Sequence, residues 1–131
     1  MLHRAQSDLP ARLARRLVGE VAYLGLSAAT PDELRTAQEQ GACDHVGIGV
    51  VHPTATKADA PKSLGVNGVA RMAALIDLPA VAIGGITASD LPALRAGGLA
   101  GAAVVSAICT AEDPRSVAAH LHRAWDEGCR R

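Results

Sequence analysis

The chain has 131 residues, with 13 basic and 13 acidic side chains, 49% hydrophobic residues and 2% aromatic residues. A formal charge of zero excludes the large positive field that nucleic-acid and anionic-membrane binders use, so any anion site has to be local. No stretch reaches the ~18 apolar residues of a membrane span or resembles a signal peptide, which predicts a cytoplasmic protein. The composition indicates one folded domain over residues 1–131, and the widely spaced cysteines are expected to stay reduced.

The first elements in chain order are a short strand and a helix. Residues 1–6 read as the remnant of a strand, and Leu9–Val18 has apolar residues at helical spacing with a proline in its first turn. Arg12, Arg15 and Arg16 lie on the opposite face of that helix, where charged side chains are usually solvated. This segment is therefore predicted to be an amphipathic helix with a basic outer face.

Short apolar runs then alternate with stretches of helical period. Nearly continuous hydrophobicity is typical of buried parallel strands, so we predict an α/β fold. The strands are predicted at Val21–Leu26, His45–Val51, Ala80–Ile83 and Ala102–Val105, and the helices at Pro31–Gln40, Gly68–Ile76, Asp90–Ala96 and Pro114–Glu127. Periodicity does not decide between an open sheet and part of a closed barrel, but a complete (β/α)₈ barrel needs about 250 residues. The chain is too short for a complete one.

Small polar residues and glycines follow each predicted strand. Ser27 ends the first full strand, Pro53–Lys57 follows the second, Gly84 and Gly85 follow the third, and Ser106 follows the fourth. In α/β barrels and open α/β sheets, ligands bind at the carboxyl ends of the strands. Hydroxyls, glycines and one ammonium at that edge favour a small phosphorylated ligand.

Four of these segments together resemble the second half of the thiamine phosphate synthase family: Gly25–Ser27, Pro53–Lys57, Ala82–Ile86 and Val104–Ile108. Upstream, His3–Asp8 is similar to the family's His-x-Gly-Gln-x-Asp segment, with Ala5 in place of the glycine. The resemblance implies a partial TIM (β/α) barrel that runs from about the end of strand 4 to helix 8.

The resemblance also implies an activity and a set of site residues. The family is a transferase that joins hydroxymethylpyrimidine diphosphate to hydroxyethylthiazole phosphate, giving thiamine phosphate and pyrophosphate with Mg²⁺. Ser27 matches a catalytic hydroxyl beside the pyrimidine, and Lys57 matches a catalytic ammonium that contacts the diphosphate. Asp8 matches a Mg²⁺ ligand. The residues that match the thiazole phosphate site are Thr54, Ala55, Thr56, Gly85, Val105 and Ser106.

Several of these residues have a structural interpretation as well. Asp8 is explained equally well as the cap of the helix that follows it, and Gly84 and Gly85 as a simple turn. Val50 stands where the family usually has proline. The family's Gln-x-Arg-x-Lys cluster and Asn-Asp pair belong to early strands that this sequence does not contain.

We therefore expect the chain alone to bind diphosphate weakly and to turn over little. An open barrel exposes two sheet edges, which favours marginal stability, self-association or pairing with a missing N-terminal half. Two other hypotheses stay open. One is a relative of the thiazole tautomerases, and the other is a non-catalytic half-barrel that binds phosphate or complements a separate N-terminal half.

Overall fold

Five parallel strands form a single sheet in chain order. The computed structural model describes residues 2–4, 9–53 and 62–130, and each strand pairs in parallel with the next one along the chain. The strands are β1 Leu2–Arg4, β2 Leu24–Ala28, β3 His45–Gly49, β4 Ala80–Ile83 and β5 Gly101–Ala103. This arrangement is a curled half-barrel, which confirms the predicted partial (β/α) barrel.

Helices connect the strands and cover one side of the sheet. They are α1 Ala11–Val18, α2 Pro31–Gln40, α3 Gly65–Ala73, α4 Leu91–Ala96, α5 Ser106–Cys109 and α6 Pro114–Glu127. A 3₁₀ turn, Ala88–Asp90, precedes α4, and a second, Gly128–Arg130, follows α6. Because each parallel crossover returns the chain to the same end of the sheet, all strand ends of one polarity meet at one edge.

The hydrophobic core lies between the sheet and these helices. Alternate residues of β2, Leu24, Leu26 and Ala28, are buried in it, and Leu34 and Leu94 on the helices are fully buried. Each such leucine contributes about 1.5–3 kcal/mol through its burial. The intervening residues of the strands consequently face the other, concave side of the sheet.

Sequence signals fix several element ends. Thr30 and Glu33 form a reciprocal capping box at the start of α2, and Gly41 ends that helix in the left-handed conformation with φ 58°. Asp113 accepts from the Ser116 amide at the start of α6. The predicted bounds of α2 and α6 agree with the structure.

Other boundaries differ from the predictions. The strand predicted at Val21–Leu26 begins at Leu24, because Val21 is fully exposed and cannot belong to a buried strand. The helix predicted at Gly68–Ile76 begins at Gly65 and ends at Ala73. Apolar composition locates an element well but does not fix the residue at which the chain enters or leaves it.

Arg15 corrects the prediction of a solvated basic face on the first helix. Its side chain is 12% exposed and lies 2.6 Å from Asp44, whose Oδ2 atom also accepts from the Leu24 amide. The guanidinium also donates to the carbonyls of Gly19, Ala22 and Ala42. Arg15 therefore ties α1 to the amino ends of β2 and β3, whereas Arg12 and Arg16 are exposed as predicted.

Candidate functional site

The carboxyl ends of the strands bring the described candidate residues to one edge of the sheet. Ser27 pairs with Gly47 near the end of β2, Gly85 follows β4, and Ser106 begins α5 just after β5. These positions are far apart in the sequence and meet because every strand is parallel. The placement agrees with the predicted ligand edge, and the roles of the residues in binding stay predictions.

Ser27 lies on the concave side of the sheet, since it alternates with the buried residues of β2. Its Oγ atom is 2.9 Å from Nε2 of His3, which belongs to the edge strand β1. Sequence reasoning did not assign His3 a role, although it opens the segment that resembles the family's histidine motif. The pair places a hydroxyl and an imidazole side by side where a ligand on the concave face would contact them.

Two glycines leave space for side chains on the concave face beside this pair. A Cβ atom on Gly25 would collide with the rings of His3 and His45, and one on Gly47 would lie 3.2 Å from Cε1 of His3. Side chains at these two positions would therefore displace the imidazoles. The two glycines leave room for both rings on the concave face.

His45 forms the floor of the concave face. It is 7% exposed, its ring stacks on Tyr23 at a centroid distance of 5.1 Å, and its Nδ1 atom has no hydrogen-bond partner among the described residues. The ring centroid of His3 is 5.6 Å away. No local pattern predicts this cluster, because Tyr23 and His45 are 22 positions apart.

The Gly84–Gly85 turn packs directly against the chain that leaves β3. Both glycines have positive φ, 87° and 66°, which side chains rarely adopt. A Cβ atom on Gly84 would lie 2.7 Å from Val50, and one on Gly85 would lie 2.6 Å from the carbonyl oxygen of His52. Glycine is thus required at both positions for conformation and for space.

Backbone hydrogen bonds join the same two segments. The amides of Val51 and His52 each donate to the carbonyl of Gly84 at 3.1 Å. Farther along the chain, the amides of Leu64 and Gly65 donate to the carbonyls of Val50 and Val51. Both ends of the connection between β3 and α3 are therefore attached at the carboxyl edge of the sheet.

The end of β5 contributes Val105 and Ser106. Val105 is 58% exposed, and its carbonyl accepts from the amides of Ile108 and Cys109 as α5 begins. Ser106 is exposed as well. The end of β5 therefore places the Ser106 hydroxyl, exposed, at the start of α5.

Five of the predicted site residues lie outside the described residues: Asp8, Thr54, Ala55, Thr56 and Lys57. Pro53, the residue before Thr54, is described and lies at the carboxyl edge next to His52. Among residues 2–4, 9–53 and 62–130, no group of three or more His, Cys, Asp or Glu side chains could hold a metal ion. The described residues alone therefore do not form the predicted Mg²⁺ site.

One ionised carboxylate lies close to the Gly84–Gly85 turn. Burial opposes ionisation of Asp90, but hydrogen bonds from His52 and from the amide and hydroxyl of Thr87 more than offset it, so the pKa of Asp90 is lowered. At neutral pH Asp90 is an acceptor, and Nε2 of His52, 3.0 Å away, donates to it.

No helix in the described part of the chain is long and apolar enough to cross a membrane.

A family model and the curated relatives agree on one family. A family model described as thiamine monophosphate synthase matches residues 1–108. The thiamine-phosphate synthase of Vibrio parahaemolyticus is 42% identical over 125 residues, which is 95% of this chain and 61% of that protein. The enzyme of the same name from Salinispora tropica is 42% identical over 122 residues, 93% of this chain and 58% of its own length.

A solved structure supports the same relationship. The thiamine phosphate pyrophosphorylase from Pyrococcus furiosus superposes with a TM-score of 0.84 at 29% identity, covering 96% of this chain and 59% of that one. The chain thus spans about three fifths of the length of the relatives that it matches.

Proposed function

Because the chain belongs to the thiamine monophosphate synthase family, we propose that it supplies the carboxyl-terminal part of an active site that makes thiamine phosphate. The reaction would join hydroxymethylpyrimidine diphosphate to hydroxyethylthiazole phosphate and release pyrophosphate. One observation carries the proposal: Ser27, Gly85 and Ser106, which match substrate-contacting positions of the family, meet at the carboxyl edge of one parallel sheet.

The proposed chemistry needs positioned charges and no covalent nucleophile. The bond between the pyrimidine methylene carbon and the diphosphate oxygen breaks first, and the thiazole then forms a bond to the resulting cation. Lys57 would neutralise the charge that builds on the departing diphosphate, and the Ser27 hydroxyl would hold the pyrimidine. Asp8 would contribute one carboxylate to a Mg²⁺ site, an ion that commonly takes one or two carboxylates together with substrate oxygens.

The thiazole phosphate would sit between the loop that begins at Pro53 and the ends of β4 and β5. Thr54, Ala55 and Thr56 would form one wall of this site. Gly85, Val105 and Ser106 would form the other. The Gly85 turn supports this arrangement because a glycine lets the backbone approach an anion closely, and its amide lies next to a segment leading into the loop.

We also propose that these five strands work together with the remaining βα units of an eight-stranded barrel. Within the described residues, the edge strands β1 and β5 each pair with a neighbouring strand on one side only. On α1, the helix that follows β1 in the chain, Leu13 is 41% and Leu17 is 72% exposed. Beside β5, Val104, Leu121 and Trp125 line an apolar cavity of about 300 Å³. Apolar surface on both flanks of an open sheet fits coverage by further strands and helices.

Reconstitution tests both parts of the proposal. Thiamine phosphate formation would be measured for the chain alone and for the chain co-expressed with the N-terminal part of the Vibrio relative, up to the start of the matched region. We expect turnover in the mixture that is at least 10-fold above that of either part alone, since it joins both halves of the diphosphate site. Absence of turnover in the mixture, together with no binding of hydroxyethylthiazole phosphate, would reject the proposal.

A further inference from the structure

His52 links two segments of the carboxyl edge through both its side chain and its backbone. Its Nε2 atom donates to Oδ1 of Asp90, while its amide donates to the carbonyl of Gly84 at 3.1 Å. Its carbonyl oxygen lies so close to Gly85 that no Cβ atom fits between them. One residue from the loop after β3 therefore contacts both the start and the end of the segment between Gly84 and Asp90.

Asp90, the acceptor of this hydrogen bond, is also held by contacts within its own turn. Asp90 is 12% exposed, and its Oδ2 atom accepts from the Thr87 amide at 2.9 Å and from the Thr87 hydroxyl at 2.7 Å. These two bonds cap the 3₁₀ turn and would do so without His52. The bond to His52 adds a connection to a different strand end.

Packing alone does not account for the position of His52. Its side chain is 42% exposed, so the core does not restrain the ring, and the hydrogen bond to Asp90 supplies the directional contact. The residue after it, Pro53, begins the loop that matches the thiazole phosphate site. Fixing the ring of His52 therefore fixes the start of that loop relative to the glycine turn.

We infer that His52 and Asp90 form a positioning pair that holds the chain leaving β3, up to Pro53, against the Gly84–Gly85 turn at the proposed phosphate site. The inference rests on the proposed function for the identity of the ligand. A binding site assembled from two separate loops is stronger when their arrangement exists before the ligand arrives, because less conformational freedom is then lost on binding. The pair supplies that preorganisation with a hydrogen bond to an ionised acceptor.

Two substitutions separate the hydrogen bond from the bulk of the ring. His52→Phe keeps a planar ring and removes the donor, whereas His52→Gln keeps a nitrogen donor within reach of Asp90. A matched control exists on α6, where Nδ1 of His122 lies 3.1 Å from Asp126 and both side chains are well exposed. That pair joins residues of a single helix, so His122→Phe should leave the carboxyl edge unchanged.

Amide hydrogen exchange tests the positioning role without any ligand. The amides of Val51 and His52 report on the link, since both donate to Gly84; the Val51 amide also donates to Ile83, so His52 is the more direct reporter. With loss of one charge-assisted hydrogen bond, their exchange should be about 10-fold faster in His52→Phe. His52→Gln should restore slow exchange, and His122→Phe should match the unmodified chain. Unchanged exchange in His52→Phe would overturn the inference.

Calorimetric titration with inorganic phosphate and with hydroxyethylthiazole phosphate tests the consequence for binding. We expect affinities about 5- to 20-fold weaker for His52→Phe, again from one charge-assisted hydrogen bond, and within about 2-fold of the unmodified chain for His52→Gln. Faster exchange with unchanged affinity in His52→Phe would make the pair a structural link alone and reject the positioning role. If the unmodified chain binds neither probe, the proposed function fails, while the exchange experiment still decides whether the pair holds the two segments.

Discussion

The two ends of the parallel sheet are built in different ways. At the amino ends of β2 and β3, the part-buried Arg15 uses its whole guanidinium to bind three carbonyls and the Asp44 carboxylate. At the carboxyl ends, the chain turns through Gly84 and Gly85 and exposes Ser106. The first end is held together by one guanidinium, and the second exposes a hydroxyl near a turn of two glycines. The difference suggests that stability and binding are separated along the strand direction.

The largest expected effect comes from removing Arg15. Arg15→Met keeps much of the side-chain bulk but loses the hydrogen bonds at the amino end. We expect the free energy of unfolding to fall by about 2–3 kcal/mol, measured by urea denaturation, with phosphate affinity of the folded protein unchanged. Arg16→Met, on the exposed face of the same helix, should change the free energy of unfolding by less than about 0.5 kcal/mol. Equal destabilisation by the two variants would contradict the conclusion that the Arg15 contacts stabilise the amino end of the sheet.

Gly85→Ala should have the converse effect at the carboxyl end. Its Cβ atom would meet the His52 carbonyl at 2.6 Å, so the two segments must separate, and we expect phosphate affinity to fall about 10-fold, as on loss of one or two hydrogen bonds. Gly98→Ala is the matched control, because Gly98 also has positive φ, 87°, but has open space around its Cβ position. Both variants should lose about 1 kcal/mol of stability from backbone strain. Similar phosphate affinity in both would refute a role for the Gly85 turn in binding.

Ser27→Ala tests whether the pyrimidine and the phosphate bind at separate positions of the carboxyl edge. Removing the hydroxyl should raise the KM for hydroxymethylpyrimidine diphosphate about 5-fold in the reconstituted assay, as expected for one neutral hydrogen bond. Affinity for inorganic phosphate should not change, because the Gly84–Gly85 turn is formed by other strands. A control is Ser116→Ala on the exposed surface of α6. An equal effect of Ser27→Ala on both ligands would count against separate pyrimidine and phosphate positions.

The smallest expected effect is on acid stability. The pKa of Asp44 is lowered, first by the hydrogen bond from the Leu24 amide and then by that from Arg15. A carboxylate with a lowered folded-state pKa stabilises the fold above its ordinary value of 3.8, and this stabilisation is lost as the pH falls through the folded-state value. Asp44→Asn should therefore flatten the loss of thermal stability below about pH 4. If Asp44→Asn loses thermal stability at low pH as steeply as the unmodified chain, Asp44 does not contribute to that loss.

Much of the fold follows from patterns in the sequence, whereas contacts between distant residues do not. Apolar runs located β2 to β5, and the Thr30–Glu33 capping box fixed the start of α2. Arg15 was assigned to a solvated face because helical periodicity gives the side of a helix but not what lies beside it. The bond between His52 and Asp90 spans 38 positions. No local pattern in the sequence reports such a contact.

In the candidate site, too, local sequence patterns predict some features, whereas contacts between distant residues are not predicted. The glycines and hydroxyls after the strands could be assigned to one edge, since parallel strands bring equivalent ends together. The stacked rings of Tyr23 and His45 under the concave face could not be predicted, since both residues look like ordinary strand positions. Side-chain clusters of this kind depend on the register between strands, which composition does not reveal.

The most direct test of the account is a titration of the ¹⁵N-labelled chain with hydroxyethylthiazole phosphate, followed by amide chemical shifts. Binding at the carboxyl edge should shift the amides of Gly84, Gly85 and Ser106 and leave those of Leu24 and Asp44 in place. Shifts concentrated at Leu24 and Asp44, or no shifts at any of these residues, would contradict the claim that this edge of the sheet holds a phosphorylated ligand.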